Sequence, residues 1–488
     1  MIQLKDILFK VAIEAVKGTT DISVDELSFD SRKIGENAVF IAIRGLAADG
    51  HQFIEKAIKQ GAVAVVCEEF PEEITDSVTY VKVKDTQEAL AFMASNFYGK
   101  PSENLKLTGI TGTNGKTTIA TLLYEMFKKA GYKVGLISTM NIKVDETVYP
   151  TLLTTPDSLT INKSLKKMNE EGVEYCFMEV SSHGIAQKRT AGLKFAGGIF
   201  TNLTHDHLDY HKDFKEYRDV KKSFFDTLPK TAFALSNIDD KNGDFMLQNC
   251  KADKKTYALK SVADYKAKIL ENGVGGMSLS VDGNEVWTKL MGDFNAYNLL
   301  AVYAAADLLG LEEIENLKFL SELQSVEGRF EYFISPVEKV TAIVDYAHSP
   351  DALKNVLHTL NSIRTRNERL ITVVGCGGDR DKTKRPKMGN IAAKLSDKVI
   401  YTSDNPRTED PEAIIKDIEA GVDPSDFKKT ISIVDRKQAI KTACSIAEPS
   451  DIILIAGKGH ENYQEINGKR HHFDDMELVS EFLKQMDK

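Results

Sequence analysis

No stretch of the 488 residues approaches the roughly 18 consecutive apolar positions that a membrane-crossing helix needs. Met1 to Lys17 interleaves charge with apolar residues and lacks the core of a secretory signal. Cysteine is scarce and poorly placed for cross-linking. Cys67, Cys176, Cys250, Cys376 and Cys444 are odd in number, far apart and mostly embedded in apolar runs. That is the pattern of reduced, buried thiols, and it suggests neither a disulfide framework nor a cysteine metal site. Cations are outnumbered, 63 Lys and Arg against 72 Asp and Glu, for a formal net charge of −9; a general nucleic-acid or membrane-surface binder needs the opposite excess. These absences predict a cytoplasmic protein with no membrane and no nucleic-acid partner. An acidic chain that handles anions must do so through backbone nests and individual cations.

What the chain does contain is one stretch about which the rest can be arranged. Thr111-Gly112-Thr113-Asn114-Gly115-Lys116-Thr117-Thr118 follows the apolar run Leu105 to Ile110 and precedes the helical pattern Ile119 to Ala130. Strand, glycine-rich turn, Lys-Thr and helix is the architecture of a phosphate cradle. Gly112 and Gly115 let backbone N–H groups turn toward an anion, and the helix N-terminus adds partial positive charge. Lys116 is placed to reach the outer phosphates, and Thr117 to offer its hydroxyl to a magnesium ion. The spacing is shorter than the general form, because the earlier glycine position falls on Ile110. The competing reading is a structural turn with an exposed lysine; the flanking strand and helix favour the cradle.

The length predicts about three domains. Residues 1–100 alternate strand-like runs (Ala38 to Ile43, Ala62 to Cys67) with helical ones (Ile54 to Lys59, Glu88 to Phe97) and end at the linker Gly99-Lys100-Pro101-Ser102. Its loops Asp30-Ser31-Arg32 and Gly45-Leu46-Ala47-Ala48-Asp49-Gly50-His51 read on their own as ordinary turns. Residues 101–330 hold the cradle and further strands at Val134 to Ile137, Tyr175 to Val180, Gly198 to Leu203 and Ala232 to Asn237. Alternation with helices implies a mostly parallel sheet whose ligands sit at the strand carboxyl ends. There Glu179 opens Glu179-Val180-Ser181-Ser182-His183-Gly184, and Asn202 leads into Thr204-His205-Asp206-His207-Leu208-Asp209-Tyr210-His211. A carboxylate and an imidazole at such ends suit the magnesium ions of a bound nucleotide. The four histidines from His183 to His211 leave zinc open as an alternative, weakened by the absence of a neighbouring cysteine or a helical His-x-x-x-His pair.

Farther on, Phe214, Tyr217, Lys221, Phe224 and Leu228 recur in steps of three and four, so Lys221 sits inside an apolar helical stripe and Lys222 falls off it. Two readings follow. Either the side chain snorkels to water, or burial leaves a neutral amine able to take up carbon dioxide as a carbamate, a ligand for a second magnesium beside His207. A hairpin-like stretch from Gly275 to Leu290 precedes Gly292-Asp293-Phe294-Asn295-Ala296-Tyr297-Asn298, which starts an Ala-rich helix, and Val326-Glu327-Gly328-Arg329-Phe330.

Residues 331–488 alternate again, with strands at Thr341 to Asp345, Leu370 to Gly375, Lys398 to Thr402, Ile431 to Val434 and Ile452 to Ala456. Polar loops follow them: Asp345 to Asp351, Gly375 to Arg380, Ser403-Asp404-Asn405-Pro406-Arg407 and Gly457-Lys458-Gly459-His460-Glu461. The glycine run is a poor dinucleotide fingerprint, since Arg380 occupies its third glycine position. Arg380, Arg407 and Glu461, all just past strand ends, favour an ionic small-molecule pocket.

Taken together the motifs resemble the Mur ligases, ATP-dependent amide-forming enzymes of peptidoglycan synthesis. The ATP and metal motifs are matched by Gly112 to Thr118, Asn202 to His207, Asn295-x-x-Asn298, Gly328-Arg329 and Tyr346-Ala347-His348-x-Pro350. Asp30-Ser31-Arg32, Thr154-Thr155-Pro156, Glu179 to Gly184, Asp404 to Arg407 and Gly457 to Glu461 narrow the resemblance to the branch that adds the third peptide residue, meso-diaminopimelate. The resemblance implies a small N-terminal α/β domain for the uridine diphosphate, a central P-loop ATPase domain, and a mobile C-terminal Rossmann-like α/β domain for the amino acid. It implies a monomer with ATP and Mg²⁺ as cofactors, and UDP-N-acetylmuramoyl-L-Ala-D-Glu and meso-diaminopimelate as substrates. Ser31, Leu46, Ala47 and Ala48 would contact the UDP end, and Thr154, Thr155, Ser181, Gln187 and Arg189 the muramoyl-dipeptide. Arg380, Asp404, Asn405, Pro406, Arg407, Gly457 and Glu461 would bind diaminopimelate. Asn295, Asn298 and Asp345 would join the cradle at the nucleotide; Thr117, Glu179, His207 and Lys221 would hold metal; Lys116 and Arg329 would act on the phosphoryl group. Lys221 matches the family's carbamylated lysine, so the resemblance favours the carbamate. The rivals are another Mur ligase or a folate polyglutamylating enzyme, neither expected to carry Asp404 to Arg407, and a nucleotide-responsive scaffold that has lost ligation.

Overall fold

The apolar run before the glycine-rich turn forms the strand Lys106–Thr111, an inner strand of an 11-stranded sheet. In this computed structural model all residues are described except Met1, Leu46, Ala47, residues 205–209 and Arg366. Lys106–Thr111 pairs in parallel with Tyr175–Glu179 on one side and Gly197–Phe200 on the other. Both neighbours come later in the chain, so the strand order reverses here, and a crevice opens beyond the carboxyl ends. Parallel pairing continues to Val134–Ile137 on one flank and through Phe233–Asn237, Asp253–Ala258 and Tyr265–Gly273 on the other. Antiparallel strands close both edges: Ile142–Val144 with Thr147–Tyr149, and Gly276–Val281 with Asn284–Thr288. The central strands are buried almost throughout because helices cover both faces. Lys116–Lys129 and the Ala-rich Asp293–Leu308 share one core cluster on one face; Tyr217, Phe224 and Phe225 of Phe214–Asp226 belong to the other.

A 5-stranded sheet precedes the central one and a 6-stranded sheet follows it. In the latter, Thr341–Asp345, Ile452–Ala456, Leu370–Val374, Lys398–Tyr401 and Thr430–Ser432 run parallel in that order, so their polar loops gather at one edge. The α/β class with a P-loop sheet between two smaller α/β units is as expected. The strand Ile13–Lys17 escaped the sequence reading because every residue in it is exposed and it lacks an apolar face. All five cysteines are buried free thiols, and among the described residues no helix is long and apolar enough to cross a membrane.

Lys222, off the apolar stripe, is nonetheless buried: it is 7% exposed, close to Lys221 at 1%. The helix is enclosed on two sides, by the stripe and by Phe225, and Asp226 meets the Lys222 ammonium at 2.7 and 2.8 Å.

Candidate active site

At the switch point the chain must turn without side chains. Gly112 has φ +150°, and a Cβ there would lie 1.9 Å from Thr201 Oγ1; Gly115 has φ +88°, with a Cβ position 2.6 Å from Asn298 Oδ1. Any larger residue would fill the loop or displace its neighbours. Asn202 pins the turn: Oδ1 accepts the Asn114 N–H at 3.0 Å, Nδ2 donates to the Asn114 carbonyl at 3.2 Å, and the Asn202 carbonyl accepts the Thr113 N–H at 2.8 Å. Lys116 Nζ donates to the carbonyls of Gly112 (3.0 Å) and Thr113 (2.7 Å). Lys221 Nζ, entering from the opposite helix, donates to the same Gly112 carbonyl at 2.9 Å.

The neighbouring strand end supplies an acid and a polar wall. Glu179 is 0% exposed; its carboxylate accepts the Thr139 N–H at 2.7 Å and the Thr139 hydroxyl at 3.1 Å. Thr139 Oγ1 also lies 3.1 Å from Thr154 Oγ1. Thr155 Oγ1 lies 2.9 Å from the Glu179 carbonyl and accepts the Ser181 N–H at 2.9 Å. Ser181 caps the short helix Ser182–Ala186. Arg189 donates to the Thr155 carbonyl and to Gln187 Oε1, and burial holds its guanidinium below the usual range.

On the far side Asn298 Nδ2 donates to Asn295 Oδ1 at 3.0 Å, and Asn295 Nδ2 to the Met291 carbonyl at 2.8 Å. The cavity is completed by the segment that enters the last sheet. Arg329 Nη2 donates to Thr117 Oγ1 at 3.2 Å, and its guanidinium carbon lies 4.4 Å from the centre of the Tyr346 ring. Asp345 accepts the Phe330 N–H at 2.7 Å; desolvation raises its carboxyl to about 6, with Arg329 opposing.

The result is a cavity of about 840 Å³ lined by Thr113 to Thr118, Thr154, Thr155, Glu179, Ser181, Arg189, Lys221, Asn298, Arg329 and Asp345. Asp239, Tyr297 and Thr139 also line it and were missed. Tyr297 donates to Asp239 at 2.9 Å, and Asp239 further accepts the N–H groups of Leu259 and Lys260, which with Ser261 and Tyr297 hold its carboxyl at about 2 despite desolvation. The signal available was position: Asp239 lies just past the strand Phe233–Asn237. Among the described residues no three His, Cys, Asp or Glu side chains form a metal-sized group; Thr117, Glu179 and Lys221 all line the cavity beside the loop.

The remaining expected residues lie elsewhere. His207, Leu46 and Ala47 fall outside the described residues. Ser31 is buried in the N-terminal unit, and the Ala48 carbonyl accepts the Gly45 N–H at 3.0 Å. Arg380, Asp404, Asn405, Pro406, Arg407, Gly457 and Glu461 form a second cluster. Asn405 Nδ2 donates to Glu461 Oε2 at 2.7 Å, and Arg407 Nη1 to the Gly378 carbonyl at 2.7 Å. A Cβ on Gly377 would lie 2.9 Å from Arg407 Nη1 and 3.9 Å from Arg380 Cγ; one on Gly457 would lie 2.5 Å from Asp404 Oδ2. Tyr346 links cluster and cavity, its ring 5.0 Å from that of His460.

Three family descriptions match in chain order: Mur ligase family, catalytic domain, over residues 23–98; Mur ligase middle domain over 110–306; and Mur ligase, glutamate ligase domain, over 328–459. A protein of Cytophaga hutchinsonii named UDP-N-acetylmuramoyl-L-alanyl-D-glutamate–2,6-diaminopimelate ligase is 53% identical over 487 residues, covering 100% of both chains. The chain belongs to the Mur ligase family. A protein of Phocaeicola vulgatus with the same name is 55% identical to this Mur ligase over 481 residues, 99% of each chain. A solved structure titled as a ligase of that name is 32% identical, with a TM-score of 0.70, covering 100% of this Mur ligase and 99% of the other chain.

Proposed function

We propose that this Mur ligase joins meso-2,6-diaminopimelate to the D-glutamate of UDP-N-acetylmuramoyl-L-Ala-D-Glu, with ATP converted to ADP and phosphate, in peptidoglycan precursor synthesis. The observation that carries this reading is full-length likeness to ligases of that name. The cavity agrees with it, because the phosphate cradle faces the wall of Thr154, Thr155, Ser181 and Arg189 across one space. In the proposed division, residues 1–100 bind the UDP moiety, 101–330 ATP and 331–488 the amino acid, in a monomeric cytoplasmic protein.

A carboxylate is a poor acylating agent. The ATP γ-phosphoryl group therefore passes to the D-glutamate side chain, giving an acyl phosphate. The diaminopimelate amine adds to that carbonyl, loses its proton, and expels phosphate as the amide forms. In the first step two anions meet. The Gly112 to Thr118 amides and Lys116 hold the phosphates, and Arg329, already on Thr117, brings a second cation to them. Arg189, Ser181 and Thr155 orient the dipeptide. Thr117 Oγ1 and the Glu179 carboxylate are hard oxygen donors on the cavity wall, which suits Mg²⁺; with His207 and a carbamate on Lys221 they would hold it. Bound there, Mg²⁺ would offset the charge of the transferring group. Closure of the C-terminal unit would bring the amino acid to the acyl phosphate and exclude water.

Phosphate release measured over a panel of amino acids tests the reading. It is expected only when ATP, the UDP-dipeptide and diaminopimelate are all present. Release without the UDP-dipeptide, or equal release with an unrelated amino acid, would overturn it.

A further inference from the structure

Lys458 stands between the two glycines of Gly457-Lys458-Gly459. Lys458 is wholly enclosed, at 0% exposure. Its ammonium lies 3.1 Å from Asn405 Oδ1 and 3.4 Å from Glu461 Oε2, and 5.4 Å from the centre of the Tyr463 ring. Asn405 Oδ1 also accepts the Glu465 N–H at 2.9 Å. Two donors on that oxygen fix which way the amide points, so Nδ2 is the atom presented to Glu461, at 2.7 Å.

A buried ammonium is costly unless its charge is met, and two neighbouring carboxylates cannot both stay ionised without a cation. Lys458 answers both conditions. Asp404 is packed against Gly457, and Glu461 stands in the same loop. The charged and titratable groups facing Glu461 are Asp404, Lys458, Arg436, Tyr346 and Tyr463. Burial and then Asp404 push its carboxyl up, while Lys458 and the Asn405 bond pull it down. Arg436 bonds Asp475 through Nε and Nη2 and the Ala456 carbonyl through Nη2. Among the described residues Lys458 is the cation in bonding distance of Glu461.

We infer that Lys458 is a positioning residue that determines amino-acid specificity: it keeps Glu461 ionised and Asn405 oriented, so that Glu461 receives the distal ammonium of a diamino dicarboxylic acid. This rests on the proposed amino-acid site. Removing the ammonium leaves Glu461 half-buried near Asp404 with no cation bonded to it, and Glu461 then takes up a proton at higher pH and no longer attracts the substrate ammonium.

The test is kcat/KM for meso-diaminopimelate, with KM for ATP and for the UDP-dipeptide, across about pH 5.5 to 9 in the parental enzyme, Lys458→Met and Lys458→Met/Glu461→Gln. Ionisation of the attacking amine is common to all three and cancels in their ratios. Lys458→Met should lose about 30-fold in kcat/KM, mainly through KM for diaminopimelate, with the other two KM values within about twofold. Its acidic limb should move up by about one pH unit, and the double variant should lose that limb. If Lys458→Met proves insoluble, Lys458→Gln takes its place under the same criteria. An acidic limb coinciding with the parental one, or KM values for all three substrates rising together, would overturn the role of Lys458 alone. A parental enzyme that does not use diaminopimelate would instead overturn the amino-acid assignment, and this inference with it.

Discussion

Lys116 and Lys221 place their ammonium nitrogens on one acceptor, the carbonyl of Gly112, at 3.0 and 2.9 Å. Two cations beside one carbonyl repel, and an anion placed between them offsets that repulsion. The phosphates of ATP would draw Lys116 forward. A carbamate would turn Lys221 from a competitor into a complement.

Lys116→Ala removes a charge aimed at the transferring phosphoryl group. Mg²⁺-dependent product formation should fall by about 10²-fold or more. Steady-state rates at saturating ATP check this, and a parental rate in the variant would mean the loop is not a phosphate cradle.

Lys221, and not Lys222, should carry the carbamate. The Lys222 ammonium is already neutralised by Asp226, whereas Lys221 lines the cavity. Electron density of crystals grown with Mg²⁺ and nucleotide should continue beyond Lys221 Nζ as a planar group. A bare ammonium with water between it and the metal would refute the modification.

Arg407→Ala should erode the preference for diaminopimelate over L-lysine. Diaminopimelate is in effect lysine with a second carboxylate on the distal carbon, a group a guanidinium can grip bidentately. A site built to bond a missing group can reject the analogue by roughly 10⁴-fold. Parallel kcat/KM values should show diaminopimelate weakened and lysine little changed; unchanged selectivity would place the determinant elsewhere.

The pH dependence of stability should change in Asp345→Asn. Burial raises this carboxyl from 3.8 to about 6, so the folded chain binds the proton more readily than the unfolded one. Stability from this group is gained as pH falls from about 6 toward 3.8, and the gain is absent above that window. His460 works with the opposite sign: burial lowers it from 6.5 to about 3, so its contribution is lost as pH falls below 6.5. Asp345→Asn removes only the first term. Its Tm should drop relative to the parental Tm between about pH 7 and 4, by the equivalent of up to about 3 kcal/mol. A constant difference in Tm would show that Asp345 titrates normally.

Much of the site was legible because its chemistry is local. Gly112 and Gly115 are dictated by a turn with no room for side chains, and Lys116 and Thr117 follow at fixed spacing. Steps of three and four put Lys221 on a buried stripe; that Lys222, off the stripe, is buried as well was not legible, since a helix enclosed on two sides has more than one buried face. Asp239 and Tyr297 went unnoticed because the hydrogen bond that joins them spans 58 positions.

Residue order alone carries the alternation of strands and helices, the glycine-rich loop, the buried thiols and the family. These depend on periodicity, backbone freedom and motif order, which a linear chain carries. The fold was needed to show that Lys116 and Lys221 share an acceptor, that Arg329 reaches Thr117 across 212 positions, and that Lys458 is buried between Asn405 and Glu461. Those pairings depend on which strand ends the sheets bring to one edge, and no local pattern records that order.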